Sequence, residues 1–189
     1  MANRDEEATS VCYVSGIDYI EALKHSGKDA DTFKADLEKA CEKAMESFGG
    51  KNSGLSDIGG EVTVEGFTID GNDDVTVSLE EAMAYIAEHG EDCDCAVKIS
   101  SDCYLTAEAT FVEGYYPNDW YEPPEPAHIE DEPEITALDV AKDAVEKACK
   151  EMNIEYLDGD GDLQARDWDD IAEDIENEEP DYDYDYDDD

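Results

Sequence analysis

Four aspartates near the C-terminus have the residue types and spacing of a metal site. Asp158, Asp160 and Asp162 alternate with two glycines, and Asp169 follows seven residues later. Calcium is bound by carboxylate and carbonyl oxygens, and a glycine allows its binding loop to turn sharply. These four aspartates are therefore the candidate ligands of a calcium ion.

The run resembles the calcium loop of EF-hand and dockerin domains, which need an oxygen ligand at the first position and a glycine at the sixth. A loop that begins at Tyr156 has a tyrosine at the first position, and one that begins at Asp158 has Leu163 at the glycine position. The resemblance therefore implies a degenerate loop. A chain with 55 acidic residues also produces such runs without a calcium site.

A second set of candidate metal ligands would suit zinc and consists of His89, Cys93, Cys95 and Cys103. Their spacing lacks the paired cysteine units that zinc sites usually show. Alternation along a predicted strand places the three cysteines on the apolar face, so burial as small hydrophobic side chains is the favoured interpretation. Without an export signal, the six cysteines are predicted to be mostly reduced thiols.

No arrangement of residues in the sequence indicates catalysis. The chain has three histidines and none of the glycine-rich phosphate-binding or nucleophile motifs. Acidic pairs such as Glu80 and Glu81 are unavoidable at this composition. We therefore expect a protein that is not an enzyme and that has no cofactor, with calcium as the one candidate.

The charge of the chain is its dominant property. It carries 55 acidic and 12 basic residues, a formal net charge of −43. Residues 155–189 contribute −17 and residues 1–154 contribute −26, so the body of the protein is strongly anionic without its C-terminal region. Self-repulsion of this size opposes folding, which indicates that the field serves a function. Direct binding of nucleic acid or of an anionic membrane is excluded on the same ground.

Targeting signals are missing from the sequence pattern. The first ten residues lack the basic and then apolar order of a secretory signal. No apolar run approaches the roughly 18–20 residues of a membrane span. The expected location is the cytoplasm.

Five helices are predicted from apolar periodicity and from capping residues. Ser78 with Glu81, and Thr136 with Asp139, have the spacing of helix-initiating caps, and the first pair forms a capping box. The predicted helices cover residues 17–25, 29–48, 78–89, 136–152 and 164–176.

Alternating apolar residues predict strands, and a phase break at Gly66 predicts a bulge. Ser101 and Asp102 are interpreted as the turn of a hairpin. Pro133 restricts the last strand to a sheet edge. The predicted strands cover residues 62–69, 75–77, 93–99, 103–111 and 127–135.

This order of elements predicts an α+β fold, in which a small, mainly antiparallel sheet has helices packed on one face. Residues 1–10 are predicted to be a flexible N-terminus, and residues 11–154 an acidic α+β domain. Residues 155–176 are predicted to form an Asp/Gly loop and a short acidic helix. Residues 177–189 are predicted to be a disordered Asp/Tyr tail.

Carboxylates four residues apart on a helix form a ridge that costs stability, which marks them as candidate contacts for a basic partner. The acidic candidates are Glu38, Glu42, Glu46, Asp139, Asp143, Asp169, Asp170 and Glu173. Trp120 and Tyr121 are the aromatic candidates. Their loop either folds over the sheet or forms a contact patch, since Trp and Tyr are favoured at interfaces.

In composition and size the chain resembles the acidic DNA-mimic inhibitors that bacteriophages use against restriction enzymes and other DNA-binding host proteins. Residues 115–135, which include a proline-rich run, resemble a segment of small tailed-phage proteins. The resemblance implies that the chain occupies the basic groove of a DNA- or RNA-binding protein in the host cytoplasm, where its carboxylates replace phosphates.

Three other interpretations stay open at this stage. A calcium-dependent interaction module would need the Asp158 run to bind the ion. An acidic chaperone or assembly factor for basic proteins would use the same electrostatics on a different target. A halophile's protein would be acidic for hydration, although such proteins usually shed lysine and here lysine outnumbers arginine ten to two.

Overall fold

The computed structural model of the chain describes residues 1–49, 54–118 and 120–178. These residues form five helices and a five-stranded antiparallel sheet, so the predicted α+β class is confirmed. The predicted Asp/Tyr tail lies outside the described residues from position 179 onward.

The sheet has the strand order β2-β3-β1-β5, and the short β4 pairs with the end of β3. All neighbouring strands are antiparallel. The strands are β1 (Ala2–Ser15), β2 (Leu55–Ile69), β3 (Cys95–Val112), β4 (His128–Glu130) and β5 (Tyr156–Ala165).

Two helices begin where their capping residues predict, whereas the last one begins at Trp168 and not at residue 164, because residues 164 and 165 belong to β5. Both predicted cap pairs form complete capping boxes, Ser78 with Glu81 and Thr136 with Asp139. The helices are α1 (Gly16–Ser26), α2 (Ala30–Glu46), α3 (Leu79–His89), α4 (Ala137–Glu151) and α5 (Trp168–Asn177).

The first ten residues are part of a central strand, so the prediction of a flexible N-terminus is wrong. β1 pairs with β3 on one side and with β5 on the other. The sequence does not show the alternation of apolar and polar residues that would predict this strand, because the charged residues Arg4 and Glu6 occupy two of its inward positions. The carboxylate of Glu6 is buried, accepts hydrogen bonds from Arg4 and accepts another from the Ala137 amide at 2.7 Å. Hydrogen bonding of this kind allows a charged pair to lie beneath a helix N-terminus.

The predicted hairpin at Ser101 and Asp102 is wrong, because β3 runs through both residues as one strand of 18 residues. The alternation of inward and outward side chains continues without a break. Ser101 points inward, and its hydroxyl lies 2.8 Å from that of Ser10 on β1. The buried serine is tolerated because its hydroxyl has this partner.

The predicted Asp/Gly loop is also wrong, because the segment forms the edge strand β5. The two glycines point inward. A Cβ at Gly161 would lie 2.6 Å from Leu138 of α4 and 2.3 Å from the carbonyl oxygen of Thr9, so only glycine allows the helix to approach the strand. The aspartates between the glycines point away from the helices.

β2 begins earlier than predicted, at Leu55, and contains two irregularities in its pairing with β3. One of them falls at Gly66, so the predicted bulge is confirmed. The φ of Gly66 is 146°, a conformation that favours glycine.

The core lies on one side of the sheet. α1, α2 and α4 pack against it, and the rings of Phe33 and Phe67 meet the ring of Tyr19 edge to face at 5.1 and 5.5 Å. No helix in the described ranges is long and apolar enough to cross a membrane.

Candidate functional site

The three glutamates of the predicted ridge on α2 have different environments in the structure. Glu38 and Glu42 turn toward the sheet edge, where they accept hydrogen bonds from the backbone amides of Val64 at 2.9 Å and Val62 at 3.1 Å. Glu46 is exposed at the end of the helix. Of the three, only Glu46 has no hydrogen bond or ion pair from its carboxylate within the described part of the chain.

The two candidates on α4 have different environments. Asp139 accepts hydrogen bonds from the amide and hydroxyl of Thr136 and so fixes the start of the helix. Asp143 is exposed one turn later, and partial burial together with the charges of Asp139 and Glu146 raises its pKa. Its ionised form is thus disfavoured by its surroundings.

The three candidates on α5 lie on a helix that packs against β1 and β4. Asp169, Asp170 and Glu173 are exposed, and the amide of Asp169 donates to the Asp167 carboxylate that caps the helix. The inward side of α5 is held by Trp168, whose ring lies 4.5 Å from the guanidinium carbon of Arg4.

The aromatic loop does not fold over the sheet. Trp120 and Tyr121 are 90% and 82% exposed, and their ring centroids lie 5.3 Å apart. A two-way backbone pairing between Tyr115 and Glu125 holds the base of the loop. Of the two interpretations of this loop, the structure fits an exposed patch.

The four candidate calcium ligands are not brought together. Asp158, Asp160 and Asp162 are spread along β5, and Asp169 lies in the first turn of α5. Asp158 and Asp160 accept hydrogen bonds from the amides of the glycines that follow them, at 2.7 and 2.8 Å. Within the described residues no group of three or more His, Cys, Asp or Glu side chains has a geometry that could hold a metal ion.

The four candidate zinc ligands differ in how far they are buried. Cys95 and Cys103 are buried, and burial raises their pKa to about 11 and about 12. Cys93 is half-buried, while His89 is exposed with its Nδ1 3.0 Å from the carbonyl oxygen of Tyr85. All six cysteines are unpaired in the structure.

A further anionic surface, which the sequence did not reveal, is the side of the sheet opposite α1, α2 and α4. We call it the open face. Odd positions of β1, even positions of β3, and the aspartates of β5 point to this side. On β1, β2, β3 and β5 its nine carboxylates belong to Asp5, Glu7, Glu61, Glu65, Asp102, Glu108, Asp158, Asp160 and Asp162.

Lysines are concentrated on the other side. α1, α2 and α4 carry eleven carboxylates and seven of the ten lysines. Against these nine carboxylates, β1, β2, β3 and β5 have one lysine on the open face among the described residues, Lys98, whose amino group donates to the carbonyl oxygen of Asp73. The two sides of the sheet therefore differ strongly in charge density.

None of the ion pairs of the described residues involves these nine carboxylates, although His128–Glu130 lies on the same side of the sheet, where β4 pairs with Thr110 and Val112 of β3. The pairs are Arg4–Glu6, Lys28–Asp36, His128–Glu130 and Arg166–Asp174. The effect of the field is visible at Tyr13 on β1, whose pKa is raised by burial and by the charges of Asp73, Asp74 and Asp158. An anionic surface whose described residues hold nine carboxylates and one lysine is complementary to a cationic partner.

Alternation on β5 was the available signal for this surface, since Asp and Gly alternate there with a period of two. Its neighbours on β1 and β3 come from distant parts of the chain. Comparison of the chain with protein-family models, with curated proteins and with solved structures finds no match.

Proposed function

We propose that this protein is a nucleic-acid mimic that occupies the basic groove of a DNA- or RNA-binding protein and so inhibits it. The observation that carries the proposal is the open face, where nine carboxylates and one lysine share one side of a sheet. We place the protein among inhibitors of DNA-processing or defence enzymes, acting in the cytoplasm.

The sheet supports mimicry because it fixes its anions in regular positions. Neighbouring strands lie about 4.8 Å apart, and residues two apart on one strand are separated by roughly 6.6 Å. Duplex DNA also presents its charges as a regular array, about one per 1.7 Å of helix axis. A groove lined with Lys and Arg to hold phosphates meets the same sign of charge, in fixed positions, on the open face.

The uneven distribution of lysine argues against the alternative that the acidic residues serve only to hydrate the protein. Acidic residues that serve hydration have no reason to differ between the two sides of a sheet. Here seven lysines lie on the helical side and one on the open face of the described residues. Concentration of the field on one side favours recognition of a partner.

The test is a titration of DNA cleavage by a panel of purified restriction endonucleases and other nucleases with the full chain, at about 50 mM and about 200 mM salt. We expect at least one enzyme to be inhibited at the lower salt and released at the higher salt or by excess non-specific DNA. The control is polyglutamate with the same number of carboxylates, which lacks a folded surface. Inhibition no stronger than that of polyglutamate for every enzyme would refute the proposal.

The same titration separates inhibition from the assembly-factor alternative. A chaperone for a basic protein transfers it to DNA, so cleavage or binding by that protein would rise in the presence of the chain. A mimic lowers it, because the chain and DNA compete for one groove.

A further inference from the structure

A shallow groove crosses the middle of the open face. Its volume is about 280 Å³, and its polar lining consists of Glu7, Thr9, Asp102, Tyr104, Asp162 and Gln164. This is slightly below the roughly 300–1,000 Å³ of small-molecule sites, so the groove has room for a side chain of a partner.

The strand register explains the shape of the groove. Thr9 on β1 pairs with Asp102 on β3 and with Asp162 on β5. Because each strand is about 4.8 Å from its neighbour, the backbones of the two aspartates are roughly 10 Å apart with the small threonine between them. Glu7 lies two residues along β1 on the same face and closes the groove with a third carboxylate.

An aromatic ring borders the same space. Tyr104 is 54% exposed and stands beside Glu7 in the register. Its ring extends over Gly59 of β2, where a Cβ would lie 2.5 Å from the tyrosine oxygen, so a glycine is needed to leave the ring in this position. A ring next to carboxylates is the environment in which a guanidinium both stacks and donates paired hydrogen bonds.

None of the ion pairs of the described residues involves a carboxylate of this groove. Lys98 is directed to the Asp73 carbonyl at 3.2 Å. The groove is therefore anionic, wide enough for a side chain and uncompensated within the described part of the chain.

We propose that the open face is the docking surface for the cationic partner, and that the groove between Asp102 and Asp162 receives an arginine side chain of that partner. The inference rests on the proposed function and adds the place and the chemistry of the contact. A sheet side that carries nine carboxylates on its four long strands is complementary in charge to the Arg-rich grooves that bind phosphates. The helical ridges, with their interspersed lysines, are then not the main contact.

Two variants that each remove three charges test the location. The groove variant is Glu7→Gln, Asp102→Asn, Asp162→Asn, and the matched helical variant is Glu46→Gln, Asp143→Asn, Glu146→Gln. The probe is nona-arginine, titrated by calorimetry at low salt. We expect the groove variant to bind about tenfold more weakly than the parent chain and the helical variant less than about threefold more weakly. Equal losses, or a larger loss in the helical variant, would overturn the docking surface.

A third variant tests the groove by filling it. Thr9→Arg places a guanidinium between Asp102 and Asp162 from within the chain, and Thr9 is exposed, so the fold is retained. We expect the same loss of nona-arginine binding as in the groove variant. Unchanged binding in this variant, with an unchanged circular dichroism spectrum, contradicts the proposal.

The arginine preference is tested with nona-lysine of equal charge. We expect the parent chain to bind nona-arginine more tightly and Tyr104→Leu to abolish the difference, because an ammonium gains less from the ring and from paired carboxylate oxygens. Equal affinity for the two peptides in the parent chain refutes the arginine assignment.

Enzyme inhibition by the same variants separates the two proposals. If an inhibited nuclease responds equally to the groove and helical variants, the docking surface is wrong and the mimic function stands. If nona-arginine binds at the groove but no enzyme of the panel is inhibited, the docking surface stands and the proposed function fails.

Discussion

Glu42 on α2 accepts a hydrogen bond from the backbone amide of Val62 on the edge strand β2, at 3.1 Å. Glu38, one turn earlier, accepts from Val64 at 2.9 Å. Free amides on an edge strand are a template for pairing with another chain. The like charges of these two glutamates, one turn apart, cost helix stability. Their carboxylates cover backbone amides at one edge of the sheet.

The other edge is closed by the same chemistry. On β5 the amides of Gly159 and Gly161 donate to the carboxylates of Asp158 and Asp160. Both outer strands of the sheet therefore have amides covered by carboxylates. The extreme acidity of the chain serves edge protection as well as the field of the open face.

Replacement of Glu38 and Glu42 by alanine together is expected to open the β2 edge. We expect the free energy of unfolding to fall by about 1–3 kcal/mol, because hydrogen bonds to charged groups contribute about 1.5–3 kcal/mol when buried and less at a partly exposed edge. We also expect concentration-dependent self-association. Urea unfolding and sedimentation velocity measure the two effects.

Glu46→Ala is the matched control for this pair, since Glu46 lies on the same helix and is exposed. It removes a carboxylate without freeing an amide, so the free energy of unfolding should change by less than about 0.5 kcal/mol. A double variant as stable and as monomeric as this control would show that the two hydrogen bonds do not protect the edge.

Glu6 is expected to be the most sensitive acidic residue of the fold. Its carboxylate is buried and joins Arg4 to the Ala137 amide at the start of α4. Glu6→Ala leaves the guanidinium without its partner, and we expect the free energy of unfolding to fall by about 3–5 kcal/mol. Chemical denaturation followed by tryptophan fluorescence measures the loss, since Trp168 lies against Arg4.

Glu6→Gln is the conservative comparison. Its amide oxygen still accepts a hydrogen bond from Ala137 while the charge is removed, so it should lose clearly less stability than Glu6→Ala. Should Glu6→Ala unfold at the same urea concentration as the parent chain, the buried contact has no structural role.

The helices could be predicted from the sequence because their signals are local. The side chains of Ser78 and Thr136 cap their helices through contacts three residues away, and the apolar stripe of α2 repeats at spacings of three and four. The strands needed non-local information. The local sequence predicts a turn at Ser101, because the partner of this residue, Ser10, lies 91 residues earlier in the chain.

The candidate site could not be predicted for the same reason. Asp102, Thr9 and Asp162 meet only through the pairing of β3, β1 and β5, and a shift of register by one residue would send them to the opposite side. The segregation of lysine also emerges only when α1, α2 and α4 pack on one side. Composition indicated the sign of the field, and topology determined its direction.

Asp143 and Asp139 are expected to have opposite effects on stability although they lie one turn apart. The pKa of Asp143 is raised by partial burial and then by Asp139 and Glu146. Its charged form therefore weakens the fold at neutral pH, and protonation removes the penalty as the pH falls through the folded pKa. Asp143→Asn should raise the free energy of unfolding at pH 7 by about 0.2–0.5 kcal/mol.

This gain should vanish below the unfolded pKa of about 3.9, where Asp143 is protonated in both states. Asp139→Asn is the comparison, because Asp139 forms the capping box with Thr136 and its loss should cost about 0.5–2 kcal/mol. Thermal unfolding at pH 7 and at acid pH measures both variants. A gain for Asp143→Asn that persists in acid would contradict the assigned cause.

Cys93 is expected to be the one thiol that reacts readily in the native protein, since it is half-buried and the other five are buried. Burial raises the pKa of Cys95 to about 11 and that of Cys103 and Cys149 to about 12, so these thiols stay protonated at pH 8. Mass spectrometry after brief iodoacetamide treatment should find a single modified peptide, and all six cysteines should react in urea. Cys93→Ser should abolish the fast reaction. Rapid modification of several cysteines in the native state would mean that the core between the sheet and α4 is open to solvent.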